Sequence, residues 1–286
     1  MDGRRTRGEA EERLSSFRSR LDCESIMLGK VYIVGAGPGP ADLLTVRAVS
    51  VVRAAQVVLH DDLVSAEVLG LCPASAQVIN VGKRYGKRGS SQQEINALMV
   101  RHARLGRVVV RLKSGDPAVF GRLGEELDAL RQAEIAFEIV PGVTAAIAAA
   151  AAASVTLTDR RAASAVVVLT AHSSSEGPLR RPMLDLERAT FAVYMPGPDY
   201  RKTARELMAM GIAASTPCSV VSNACRDGEE VRFMALADLE SASGIAAPAV
   251  LIVGQVTNSE KFSESTLLLE RGNEPVGNRT ENPAYQ

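Results

Sequence analysis

Short apolar or β-branched runs at residues 31–34, 56–60, 77–81, 107–112 and 135–140 alternate with helical periodicity along the first half of the chain. The clearest helix is predicted over 91–105, with Ile95, Leu98, Met99 and Ala103 on one face. It opens with Ser91-x-x-Glu94, the sequence form of a capping box. Another is predicted over 122–132 from Leu123, Leu127 and Leu130. Such alternation implies a mostly parallel sheet with helices on both faces. Val140-Pro141-Gly142 interrupts the pattern. Ala145 to Ala153, broken only by Ile147, then reads as a close-packed helix, since alanine has the best helix propensity. Further strands are predicted at 164–170, 190–195, 217–222 and 249–256, with a helix carrying Ala204, Leu207 and Met208 that stops at Gly211. The expected fold class is α/β: two domains, 27–142 and 143–257, each a mixed or mostly parallel sheet with helices. Residues 1–26 read as a disordered extension, with Met27 as an alternative start, and 258–286 as a polar tail. The second half does not repeat the first.

Composition narrows the picture. Hydrophobic residues make up 46% of 286, enough for a full core, and the net charge is zero, so no global field marks a nucleic-acid or membrane partner. The four cysteines form no C-x-x-C pair and the three histidines lie far apart, so no zinc or iron-sulfur site is expected. That usage fits a reducing cytosol, and a cytoplasmic location is expected. No apolar run approaches the roughly 18 residues of a membrane span.

Candidate chemistry begins at VGAGPGP, residues 34–40, between a strand and a helical pattern that starts near Asp42. The dinucleotide fingerprint needs glycine at its first, third and sixth positions. Gly35 and Gly37 supply the first two, but Pro40 stands at the sixth, and Pro38 removes an N–H from the middle of the turn. A turn so short of donors suits a ligand without phosphates, such as S-adenosylmethionine; the alternative is a tight turn with no ligand. In an open parallel sheet, ligands sit outside the carboxyl ends of the strands. Asp61-Asp62, Lys83-Arg84 and Ser114-Gly115-Asp116-Pro117 follow the second, third and fourth strands, so all fall on the edge that holds the glycine turn. Lys83, Arg84, Lys87 and Arg88 put four positive charges within six residues. This is either a solvated loop, a site for a substrate rich in carboxylates, or a contact for an RNA backbone.

At this point the chain resembles a known family. VYIVGAGPGPADLLT, LHDDLVS, VGKRYGKRGSSQQEIN, VRLKSGDPAVFGRLGEE, VPGVTAAIAAA, VTLTDR and VYMPG occur in order across about 30–256 and are similar to the tetrapyrrole methylases. LHDDLVS, VGKR and VRLKSGDPAVFGR are the motifs most specific to the branch that methylates uroporphyrinogen III. The resemblance implies transfer of two methyl groups from S-adenosylmethionine to ring carbons 2 and 7, giving precorrin-2 for sirohaem and cobalamin. It implies a two-domain homodimer with the cofactor in a cleft between domains. By motif match, Pro38, Ser114, Gly115, Asp116, Val119, Thr144, Ala145, Met195 and Ala224 would line the cofactor. Asp61 matches the proton acceptor and Lys83 the proton donor. Arg84, Lys87 and Arg88 would meet the substrate carboxylates, with Arg111, Lys113, Arg160 and Arg161 as further candidates.

The chain also departs from the family pattern. Pro40-Ala41-Asp42 displaces an acid that usually follows the glycine turn directly. Ser114 replaces a usual glycine and Ala118 a usual phenylalanine. Ala171-His172 stands for Gly-His, and Met195-Pro196-Gly197 for Met-Gly. Serine before Gly115-Asp116 also occurs in precorrin-4 methylases. The alternatives are therefore a methylase of a later corrin intermediate, a ribose methylase of rRNA with the same fold, an NAD-binding oxidoreductase with Asp61 or Asp62 on a ribose, and an inactive binding subunit. With no dehydrogenase and ferrochelatase module before the body, methylation alone is expected.

Overall fold

The computed structural model describes residues 28–82, 89–171, 185–197 and 199–258. The first half forms one sheet of β1 (Val31–Gly35), β2 (Val57–His60), β3 (Gln77–Asn80), β4 (Val109–Lys113) and β5 (Phe137–Val140). Its spatial order is β3-β2-β4-β1-β5, and every pairing is parallel. Successive side chains of a strand point to opposite faces. Val34, Val58, Val110 and Leu112 accordingly pack under helix α1 (Val46–Arg53), while Ile33, Leu59 and Val109 pack against α3 (Gln92–Arg104) and α4 (Leu123–Gln132). The central strands β1, β2 and β4 are buried on both faces and need near-continuous apolar runs, which is why they stand out in the sequence, whereas the edge strands β3 and β5 are partly exposed. The Ser91–Glu94 capping box forms as its spacing predicts, and Ile95, Met99 and Ala103 are buried. The helix expected near Asp42 begins later: a short 3-10 turn occupies Ala41–Leu43, and α1 starts only after Thr45, whose side chain caps Ala48. A short helix, α2 (Ala66–Leu69), follows the loop after β2.

The second sheet contains β6 (Ala165–Thr170), β7 (Ala189–Tyr194), β8 (Pro217–Ser222), β9 (Glu230–Ala235) and β10 (Ala249–Val253), in the order β6-β7-β10-β8-β9. It is mixed: β6 and β7 are parallel, and the remaining pairs are antiparallel. β9 carries Glu230, Arg232 and a half-exposed Phe233 at the sheet edge, so it lacks the apolar run that marks its neighbours. Helix α6 (Tyr200–Ala209) covers one face over Phe191, Val193, Val220 and Leu251. The alanine helix α5 (Ala145–Ala152) covers the other, where Ala149 and Ala150 pack on Val221, Val250 and Ile252. Side chains this small let the helix backbone lie close to the strands.

Candidate active site

Three loops leave the carboxyl ends of β1, β4 and β5 and meet with no room for side chains. A Cβ on Gly35 would lie 2.6 Å from the Gly142 nitrogen and 2.7 Å from the Gly115 carbonyl oxygen; one on Gly142 would lie 2.4 Å from that same oxygen. Gly37 and Gly115 adopt φ of 66° and 67°, the left-handed region open to glycine. Their backbones exchange hydrogen bonds, Gly115 N–H to Gly37 carbonyl at 2.8 Å and Gly37 N–H to Gly115 carbonyl at 3.2 Å. Asp116 Oδ2 accepts the Gly142 N–H at 3.0 Å, and its Oδ1 accepts the Ala118 N–H at 2.8 Å. Two donors of the glycine turn, the Ala36 and Gly37 N–H groups, are thus spent on the β4 segment, Pro38 has none, and a carboxylate stands beside them. This cradle does not fit a pyrophosphate, which needs free N–H groups and no negative neighbour.

The junction forms one wall of a partly open cleft. The second sheet supplies the opposite wall through Tyr194, Met195, Val221, Ala224, Arg226 and Val250. Pro38, Ser114, Gly115, Asp116, Val119, Thr144, Ala145, Met195 and Ala224, chosen from separate motifs, all lie along this cleft. Its lining is mainly apolar, with Ser114 Oγ buried and without a hydrogen-bond partner. The Tyr194 hydroxyl closes one end, meeting Thr144 Oγ1 at 2.6 Å and accepting the Ala146 N–H at 2.9 Å. The Phe120 ring packs edge-on against Tyr194, 5.2 Å between centroids. Such walls fit a ligand with apolar faces and no phosphate.

A second pocket, of quite different character, lies beside it. Asp61, Gln92, Arg111, Lys113 and Arg122 line it, and Phe120 is common to both. Asp61 is at the end of β2 with a partly exposed carboxylate. Its Oδ1 accepts a short hydrogen bond from Arg111 Nη2, and its Oδ2 faces the Ser114 N–H at 3.4 Å. Asp61 therefore borders the first cleft through Ser114. Arg111 and Lys113 alternate with Leu112 on β4 and so point away from the α1 face, toward α4. There they meet Glu126, which is fully buried: Arg111 Nε donates to it at 3.0 Å, Lys113 Nζ at 2.9 Å and Gln92 Nε2 at 3.3 Å. Burial pushes the Lys113 ammonium pKa below its ordinary value, the Arg111 charge adds to the fall, and Glu126 opposes it.

These placements correct one expectation. Arg111 and Lys113 are not free substrate-binding cations; both are at most 3% exposed and are committed to Glu126 and Asp61. Arg160 is exposed and Arg161 pairs with Asp159 at 2.7 Å, and neither lines either pocket. Lys83, Arg84, Lys87 and Arg88 lie outside the described residues. The sequence reading missed Glu126, Tyr194, Phe120 and Arg226. An acidic residue in the first turn of the helix that follows the Arg-x-Lys strand was the available signal for Glu126. Phe120 and Tyr194 fall inside quoted motifs without being singled out, and Arg226 carried no signal, because its role depends on contacts distant in sequence. Among the described residues no helix is long and apolar enough to cross a membrane.

Comparisons with known proteins agree with this geometry. A family profile described as Tetrapyrrole (Corrin/Porphyrin) Methylases matches residues 30–240. The chain is 41% identical over 253 residues to Siroheme synthase 1 of Pectobacterium atrosepticum, covering 88% of this chain and 53% of that protein. It thus spans about half the length of the siroheme synthases it matches. It is 42% identical over 234 residues to a uroporphyrinogen-III C-methyltransferase of Pseudomonas aeruginosa, covering 81% of this chain and 95% of that one. The crystal structure of uroporphyrin-III-C-methyltransferase from Thermus thermophilus superposes with a TM-score of 0.70 at 39% identity, covering 82% of this chain and 95% of that chain. A second structure of that enzyme, complexed with S-adenyl homocysteine, gives 0.67 at 34% identity, over 80% and 94% of the two chains.

Proposed function

The chain belongs to the tetrapyrrole methylase family, and on that premise we propose that it is an S-adenosylmethionine-dependent uroporphyrinogen-III C-methyltransferase. It would methylate ring carbons 2 and 7 in turn and deliver precorrin-2 for sirohaem or cobalamin. The observation that carries this reading is the apolar, phosphate-averse cleft bordered by Asp61. The named relatives support it: one is called by this activity, and a solved one holds the demethylated cofactor product.

In this reading the cofactor occupies the cleft, touching Pro38, Ser114, Gly115, Asp116, Val119, Thr144, Ala145, Met195 and Ala224, with Ser114 Oγ free to bond it. When bound, it supplies a methyl group already activated on a sulfonium sulfur, so the protein's task is mainly orientation. The tetrapyrrole lies over the charged pocket. Asp61, held by Arg111, accepts the proton that the methylated ring must lose, help typically worth roughly 10²–10⁴-fold. Lys83 is assigned the matching proton donation, and Arg84, Lys87 and Arg88 the substrate carboxylates. The enzyme acts as a cytoplasmic homodimer, without metal and without nucleic acid.

The test is anaerobic incubation with S-adenosylmethionine and uroporphyrinogen III, followed by product mass. One and then two added methyl groups are expected, with calorimetric binding of S-adenosylhomocysteine and none of NAD. No methylation, or methylation of later corrinoids alone, would overturn the reading.

A further inference from the structure

Arg226 is the place where the second sheet reaches across to the glycine turn. It sits in the loop after β8, which is tightly braced. Asn223 and Cys225 adopt φ of 50° and 61°, unusual for residues with side chains. The Asn223 N–H donates to the Pro248 carbonyl at 2.8 Å, the Arg226 N–H to the Asn223 carbonyl at 2.8 Å, and the Cys225 N–H to Glu229 Oε2 at 2.6 Å. From this platform the guanidinium donates through Nε to the Pro38 carbonyl and through Nη2 to the Leu63 carbonyl at 2.8 Å. One side chain of the second half thus ties together two loops of the first: the glycine turn and the segment after Asp61.

The glycine turn is shaped to receive it. Gly39 is buried, and a Cβ there would lie 2.9 Å from Arg226 Cγ and 3.1 Å from Nε. Proline at 38 has no N–H to offer, but its carbonyl is left to accept. Burial pushes the Arg226 pKa below its ordinary value, and the groups its guanidinium donates to, the Pro38 and Leu63 carbonyls, are neutral. A half-buried guanidinium held by carbonyls from another sheet is a costly arrangement to keep unless it fixes something. What it fixes is the separation of the two cleft walls, because Pro38, Leu63 and Arg226 all line the cleft.

We propose that Arg226 is a positioning residue that clasps the cleft, setting the spacing of its two walls and so the affinity for the adenosyl cofactor. This rests on the cofactor reading above, and the experiment separates the two. Arg226→Met keeps the stem over Gly39 and removes both donated bonds; Arg226→Lys keeps one possible donor. Hydrogen exchange on the ligand-free proteins needs no cofactor. In Arg226→Met, faster exchange confined to peptides spanning 35–39 and 61–65 is expected. Calorimetry with S-adenosylhomocysteine should then show Kd raised roughly tenfold, the scale of losing one charge-assisted hydrogen bond. The lysine variant should fall between the two. The tetrapyrrole KM should move less than the cofactor KM, a split that general loosening would not produce. Gly39→Ala should weaken cofactor binding in the same direction, and less than additively when combined with Arg226→Met. Unchanged exchange at both segments overturns the clasp whatever the ligand proves to be. Altered exchange with unchanged S-adenosylhomocysteine affinity overturns its link to the cofactor, and wild-type protein that fails to bind the probe overturns the cofactor reading itself.

Discussion

The two pockets share Phe120 and meet at Asp61 and Ser114, yet their physics is opposite. The cleft is walled mainly by apolar side chains and by backbone in which the Gly37 and Gly115 donors are already used. Its neighbour is built on buried charge: one fully buried carboxylate, two cations and Asp61. Under the function proposed above, the contrast matches two different ligands. A cofactor with a flat adenine and no phosphate needs shape more than an anion cradle, and glycines that let three loops close without side chains supply it. In that reading a proton transfer needs a carboxylate held in a fixed position, and β4 supplies the hold by placing Arg111 on the α4 side of the sheet, against Asp61.

The largest expected effect comes from the group at the junction. Asp61→Asn keeps size and the contact with Arg111 but cannot serve as an equivalent base. It should lower kcat by roughly 10²–10⁴-fold while S-adenosylhomocysteine still binds with near wild-type affinity. A wild-type turnover number would remove Asp61 as the proton acceptor and erase the division of labour between the pockets.

Next in size is Glu126→Gln, which attacks the charged pocket from beneath. It leaves Arg111 and Lys113 buried with Asp61 as their remaining carboxylate. Breaking a buried pair by removing one partner costs about 3–5 kcal/mol. Loss of the Lys113 proton, which burial already favours, would relieve part of this. Urea denaturation should show a loss of about 3 kcal/mol, with the cofactor still bound below the transition. A loss under about 1 kcal/mol, the scale of an exposed pair, would mean that the pocket does not depend on its buried carboxylate.

Tyr194→Phe probes the cleft alone. It removes the hydroxyl that joins Thr144 to the first turn of α5 and leaves the buried Ala146 N–H without its acceptor. The cost should be about 1–3 kcal/mol, read as a lower melting temperature and weaker S-adenosylhomocysteine binding. An equal rise in the tetrapyrrole KM would show that the two pockets are not independent.

The smallest effect is a control for burial. Glu138 also sits between two cations, Lys30 at 2.7 Å and Arg47 at 2.7 Å, but at the surface. Hydrogen bonds from Lys30 and then Arg47 hold its carboxyl below the ordinary 4.5. Because the folded-state pKa is the lower one, the contribution is present above that ordinary value and fades as pH falls through the folded-state value. Glu138→Gln should therefore lower the melting temperature only slightly at neutral pH, with the difference vanishing in acid. A loss comparable to that of Glu126→Gln would mean that burial does not decide the worth of such a trio.

What the sequence determined by itself was whatever repeats over a few residues. The apolar runs of β1, β2 and β4, the Ser91–Glu94 cap and the alanine helix are local, and period and propensity are enough to reveal them. The common edge of the polar clusters was also legible, because parallel strands all end on one side. Only the tertiary structure decided which of those clusters touch. The order β3-β2-β4-β1-β5 puts the β4 loop between Asp61 and the glycine turn, and chain order contains no trace of that arrangement. It also turned Arg111 and Lys113 from apparent surface cations into a buried network, since a two-residue alternation says which residues share a face but not what covers it. Arg226 lies 188 residues from Pro38. A contact at that separation leaves no periodic signal, because it is fixed by how the two sheets pack and not by the residues beside either partner.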